Sequence, residues 1–190
     1  MVSETNKTNS EIFAKDFKEI AVSEFISISA GLPAGIMLAA FTDKILLVPG
    51  LFVLLPGFLA LKGNIHGSLS SRITSALNLG KIKPTVNKND FLTENLFASI
   101  ILSLFLSFLI GFVAYGITYF VFHINNIKII WLSVIAAILA NTILLPVTIL
   151  SIFWLYKHGY NPDNIMGAYI TSIGDVVSVI SLLLAILIIT

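Results

Sequence analysis

Residues Leu96 to Phe122 run without one charged side chain. A helix needs ~20 mostly apolar residues to cross the hydrocarbon of a bilayer, so this stretch is long enough to span. Four more segments have the same character: Phe25 to Phe41 with Gly31, Pro33 and Gly35, Ile45 to Leu61 with Pro49 and Pro56, Ile129 to Tyr156, and Ile165 to Ile189. Composition agrees, with 57% hydrophobic and 11% charged residues against about 45–50% and 25% in soluble domains. Too few polar groups remain to coat a water-facing surface. The expectation is an all-α integral membrane protein with five transmembrane helices in one compact unit.

Several classes fall away early. A net charge of +1 gives no reason to expect a nucleic-acid partner. The absence of cysteine excludes disulfides, thiolate metal sites and a cysteine nucleophile. Ser3 to Glu24 is studded with Glu4, Lys7, Glu11, Lys15, Asp16, Lys18 and Glu19 and has no apolar core of a signal peptide. The apolar segments are therefore retained spans. Residues 1–23 read as a short cytoplasmic leader or as a helix lying on the membrane interface, since Phe13, Phe17 and Ile20 fall at helical spacing among charges. Residues 24–190 form the membrane domain.

Lys and Arg set the orientation. With the N-terminus inside, the cytoplasmic segments hold Lys7, Lys15, Lys18, Lys62, Arg72, Lys81, Lys83, Lys88 and Lys157, leaving Lys44 and Lys128 outside. The N-in, C-out arrangement follows. Lys62 to Asn78 places Ile65, Leu69, Ile73 and Leu77 four apart, with Asn64, His66, Ser70, Ser71, Arg72 and Ser75 between them. It reads as an amphipathic continuation of the second span, leaving the hydrocarbon.

Acidic residues are scarce within the spans, and Asp175 sits about ten residues into the fifth. A carboxylate at that depth costs ~2.5–3.5 kcal/mol on insertion scales, so it faces a cavity or a partner and marks function. The bland alternative is a protonated Asp bonded to a neighbouring helix. Thr171 and Ser172, four and three residues earlier, fall on the same side and add hydroxyl oxygens. Gly63 and Gly67 form a small-xxx-small pair suited to close helix packing. Asn64 between them suits either pore lining or a helix-end hydrogen bond. Asn141 reads as a link between helices, and Pro146 as a kink. His66 has no partner at metal-ligand spacing. A membrane enzyme would require Asp175, His66 and Arg72 to meet in space, and no enzyme motif supports that. One carboxylate with neutral oxygens suits a hard cation; the residues alone leave Mg²⁺, Ca²⁺, Mn²⁺ and Na⁺ open.

The stretch Pro56-Gly-Phe-Leu-Ala-Leu-Lys-Gly-Asn-Ile-His-Gly-Ser-Leu-Ser-Ser-Arg-Ile-Thr-Ser-Ala, followed by Asn78-Leu-Gly-Lys-Ile, resembles the glycine-asparagine stretch of the MgtE magnesium channel family. It is closer still to that family's eukaryotic solute-carrier relatives. Ala140-Asn-Thr-Ile-Leu-Leu-Pro, Asn161-Pro-Asp-Asn and Thr171-Ser-Ile-Gly-Asp-Val are similar too. The resemblance implies a homodimeric Mg²⁺ channel or carrier with no cofactor beyond its transported ion, and the single-unit layout without a regulatory region leads us to expect it in the plasma membrane. Its pore would lie at the dimer interface between the second and fifth spans, with Asp175, Thr171 and Asn64 at the ion. It also implies rivals. The eukaryotic relatives join two such units in one chain and are associated with exchange against Na⁺, so the partner here is a second copy or a paralogous half-unit. A subunit that does not conduct without such a paralogue is another alternative. The cytoplasmic nucleotide-binding modules of the bacterial channels have no counterpart in the short leader.

Overall fold

The computed structural model describes residues 9–86 and 89–189; Lys7 and Lys88, counted above for orientation, lie outside them. Six helices account for nearly all of it: α1 (Asn9–Ala40), α2 (Thr42–Leu46), α3 (Leu51–Asn78), α4 (Asp90–Phe122), α5 (Lys128–Lys157) and α6 (Pro162–Ile189). No strand occurs among the described residues. Four of these helices, α1, α4, α5 and α6, are long and apolar enough to cross a bilayer. The expected second span corresponds to α3, which is 28 residues long but does not join that set, because Lys62, Asn64 and His66 interrupt it.

The five long helices alternate in direction. At one end, the Tyr156 hydroxyl donates to the carbonyl of Leu77, bringing the end of α5 to the end of α3. The start of α1 meets the α5–α6 turn there: Lys15 donates to the Gly159 carbonyl, and Asn164 donates to Asp16 (2.9 Å) and Glu19 (3.1 Å). At the other end, Asn126 donates to the Pro49 carbonyl and Lys128 to that of Ile189. The chain reverses into α3 through Gly50, whose φ of 87° needs no Cβ; one placed there would strike the Thr118 hydroxyl.

α1 differs from the expectation of a leader followed by a span. It is one helix of 32 residues, ~48 Å long at 1.5 Å per residue, against ~30 Å of hydrocarbon, and it crosses residue 24 without a break. The surplus turns are those held by the α5–α6 turn. Phe13, Phe17, Phe25, Ile28, Leu32 and Ile36 on this helix are exposed.

The packing of α4 has the pattern of a helix dissolved in lipid. Its buried positions include Ser99, Ser103, Ser107, Gly111, Ala114 and Thr118, whereas Phe97, Ile101, Phe105, Phe108 and Phe112 face outward. Lipid tails are as apolar as Leu, so helices associate through small residues that let backbones approach. At Gly111 a Cβ would lie 3.0 Å from the Ile130 Cα and collide with the Ser133 hydroxyl. Two large apolar clusters hold the bundle, one around Leu51, Phe58, Leu132 and Ala185, the other around Leu69, Ile73, Ile152 and Met166, with a small third of Ala140, Leu144 and Val177. Between the two large clusters lies a polar waist.

Candidate functional site

α3 and α6 meet along small residues, and their outer faces enclose an open cleft of about 410 Å³ lined by Leu59, Ala60, Gly63, Asn64, Gly67, Ser68, Gly167, Thr171 and Asp175. The α6 contribution repeats every four residues, so Gly167, Thr171 and Asp175 form one column. On α3, Gly63 faces Thr171 closely: a Cβ there would sit 3.8 Å from the Thr171 hydroxyl oxygen. At Gly67 and Gly167 a Cβ would meet nothing within 4 Å. The glycines therefore keep the cleft open.

Asp175 lies at the midpoint of α6 and is half-buried. Its carboxylate has no hydrogen bond or ion pair within the described residues, and neither does the exposed Asn64 amide. The Thr171 hydroxyl donates back to the Gly167 carbonyl at 2.9 Å, leaving its lone pairs toward the cleft. Among the described residues no three His, Asp or Glu side chains converge as a metal cluster. One protomer thus supplies a single carboxylate, an amide oxygen and a hydroxyl. That donor set suits a hard cation which keeps most of its water shell.

Five of the seven residues singled out in the sequence line this cleft. Ser172 does not: it is buried, and its hydroxyl bonds to the carbonyls of Ala168 and Tyr169, both at 3.1 Å. One step along a helix rotates a side chain by ~100°, which carries it away from Thr171. Asn141 is also elsewhere, in the waist between α3, α4 and α5. His66 and Arg72 do not meet Asp175. His66 is buried against Thr148 (3.5 Å), and the Arg72 guanidinium reaches Ser99 (3.4 Å).

The waist holds what the sequence reading missed. Lys62, counted there as a cytoplasmic base, is 0% exposed. Its ammonium lies 2.6 Å from Ser103 Oγ, 3.3 Å from Asn141 Oδ1 and 3.4 Å from the Ala137 carbonyl oxygen. His66 and Ser70, expected on the solvated side, are buried as well. A signal was present: Lys62, His66, Ser70 and Thr74 fall four apart, a polar stripe beside the apolar one. With Lys62 removed from the orientation count, eight basic residues still stand against two.

An all-helical, multi-pass membrane protein with an oxygen-lined cleft at mid-helix has the build of an ion transporter rather than an enzyme. The sequence comparison makes the class specific: residues 55–185, more than half of the chain, match the MgtE family, described as divalent cation transporters. The chain belongs to that family. It is also 29% identical over 138 residues to solute carrier family 41 member 2 of Homo sapiens, and the same holds for the Mus musculus and Gallus gallus proteins. Those alignments cover 69% of this chain and 24% of each relative, so the chain spans about a quarter of their length. No solved structure matches it.

Proposed function

We propose that the chain carries hydrated Mg²⁺ across the plasma membrane through a pore closed by two facing clefts. α3 serves as the fifth span, the N-terminus lies in the cytoplasm, and Asp175 binds the ion electrostatically. The observation that carries this reading is the gathering of Asn64, Thr171 and Asp175, two of them without protein partners, in one cleft halfway along α6. An open polar cleft at that depth is unsuited to lipid. A second copy laid against it would supply the matching carboxylate, and two carboxylates balance one divalent charge. Mg²⁺ fits because it dehydrates reluctantly and is held by one or two carboxylates with its waters retained. Membership of a divalent cation transporter family supports the same reading.

Two rivals remain worth testing in the same vesicles. One is coupled exchange, with Na⁺ taken as the coupling ion from the family resemblance, and the other is pairing with a paralogous half-unit. The test is Mg²⁺ entry into proteoliposomes holding only this protein, followed with an internal dye, beside Asp175→Asn. Flux that collapses in the variant is expected; flux that survives removes Asp175 from the mechanism. Flux that appears only with an opposing Na⁺ gradient selects the exchanger. Silence from folded wild type in both conditions selects the paralogue-dependent subunit.

A further inference from the structure

The geometry points to Lys62 as a fixed counter-charge that limits how tightly the cleft on the other side of α3 holds its cation. Lys62 and Asn64 are two residues apart, ~200° around the helix. One points into the waist and the other into the cleft. The three groups within hydrogen-bond distance of Lys62 Nζ all present oxygens to it. The Ser103 hydroxyl gives its proton to Asn141 Oδ1 (3.1 Å), which leaves its own oxygen to accept from the lysine at 2.6 Å. Asn141 Oδ1 and the Ala137 carbonyl complete three acceptors, and the Phe58 ring lies 5.3 Å away on its electron-rich face. Three N–H bonds and three oxygens match an ammonium. No carboxylate among the described residues pairs with this charge.

An unpaired positive charge at the back of α3 acts on whatever occupies its front. The gap is about 10–12 Å, the width of a helix with its side chains. At an effective dielectric near 20, a unit charge at that range changes affinity for a monovalent ion about ten-fold and for a divalent ion about a hundred-fold. Water and counter-ions in the open cleft reduce this, leaving an expected three- to thirty-fold effect. The benefit is release. A site must be favourable enough to enter and weak enough to leave, and two facing carboxylates without opposition would trap a divalent ion. Lys62 thus sets the balance between affinity and turnover, a role that rests on the proposed ion site at Asp175.

The test is Mg²⁺ binding to the purified full chain by titration calorimetry, with flux measured in vesicles. Lys62→Met, which keeps the length and loses the charge, should bind Mg²⁺ three- to thirty-fold more tightly. Its half-saturating concentration and its maximal flux should both fall. Damage to the fold would weaken binding, the opposite direction. Asn141→Asp, which places a carboxylate beside an intact Lys62, should shift affinity the same way and carries the test if Lys62→Met does not fold. Unchanged or weaker affinity in a folded variant overturns the proposal. Wild type whose Mg²⁺ binding is indifferent to Asp175→Asn overturns the ion site itself, and the two failures are told apart by that variant.

Discussion

Asn141→Leu should destabilise the bundle, whereas Lys62→Met should not. Asn141 Oδ1 accepts from both Lys62 Nζ (3.3 Å) and the Ser103 hydroxyl (3.1 Å). Removing it leaves a fully buried ammonium with two of its three acceptors. A hydrogen bond to a charged group contributes ~1.5–3 kcal/mol, and the length of this one puts it at the lower end. The Ser103 bond adds ~0.6 kcal/mol, the average between membrane helices. The loss is therefore about 2–3 kcal/mol, or roughly 4–12 °C in Tm for a chain of this size. Lys62→Met instead removes the charge that needed the acceptors, and apolar replacement of a buried charge is commonly neutral or stabilising. It leaves Asn141 bonded to Ser103. The double variant should then lose less than Asn141→Leu alone, giving a coupling of about 1–2 kcal/mol in a double-mutant cycle. Trp131 and Trp154, both on α5, report thermal unfolding by fluorescence in one detergent at one protein concentration. If Lys62→Met costs as much as Asn141→Leu, the waist is a structural ion lock, and the argument that its charge has no opposite partner is wrong.

Gly111→Val should reduce the yield of folded protein on gel filtration by overpacking the α4–α5 contact, a cost of ~1–3 kcal/mol, because its Cβ meets Ser133 and the Ile130 backbone. Gly116→Ala, where a Cβ meets nothing within 4 Å, should instead be neutral or raise Tm through helix propensity. Gly67→Val adds bulk to the open cleft at a position where a Cβ meets nothing within 4 Å; it should leave stability within ~0.5 kcal/mol of wild type, the usual range for such sites, while depressing flux strongly. The chain has no cysteine, so single cysteines label cleanly. Lys81→Cys and Tyr160→Cys, both at exposed positions, should react from the same side of sealed vesicles and Ile124→Cys from the other, and labelling of all three from one side would break the antiparallel arrangement.

How much of this was legible in the sequence depended on whether a residue's role was local. The long helices α4, α5 and α6 cover the apolar runs that announced them, since hydropathy is a property of the segment itself. The first turns of α1 were legible as a helix from the spacing of Phe13, Phe17 and Ile20, but their docking was not, because Asn164 and Gly159 hold them from the far end of the chain. Asp175 stood out through the cost of a carboxylate at membrane depth and Thr171 through its one-turn spacing from it, while Asn64 stayed open between two roles until the family resemblance favoured the pore. Ser172 was misplaced because Thr171 and Ser172, four and three residues before Asp175, both satisfy the spacing of helix neighbours but lie ~100° apart on the helix. Lys62 was misread for a related reason. A lysine after an apolar run resembles a helix-end base, and only the arrival of Ser103 and Asn141 from two other helices makes it an interior one.

α3 explains why the bundle has a polar waist at all. Its three faces below Leu61 are an exposed polar row (Asn64, Ser68, Ser71, Ser75 and Asn78), a buried polar row (Lys62, His66, Ser70 and Thr74) and a buried apolar row (Ile65, Leu69, Ile73 and Leu77). No face of it suits lipid. α4 and α5 cover the buried polar row: Ser103, Ala137 and Asn141 offer oxygens to Lys62, and Thr148 meets His66 Nδ1, while His66 Nε2, Ser70 Oγ, Thr74 Oγ1 and Asn141 Nδ2 have no hydrogen-bond partner among the described residues. The exposed polar row has no such cover within the protomer, and it runs from the Asp175 cleft toward the end where α5 and α3 meet. The ion route proposed above, bounded by a second copy, would supply what that row lacks, namely water on one side and protein on the other. The same division places Lys62 where it can act on the route without obstructing it, since its side chain never enters the space the ion would use.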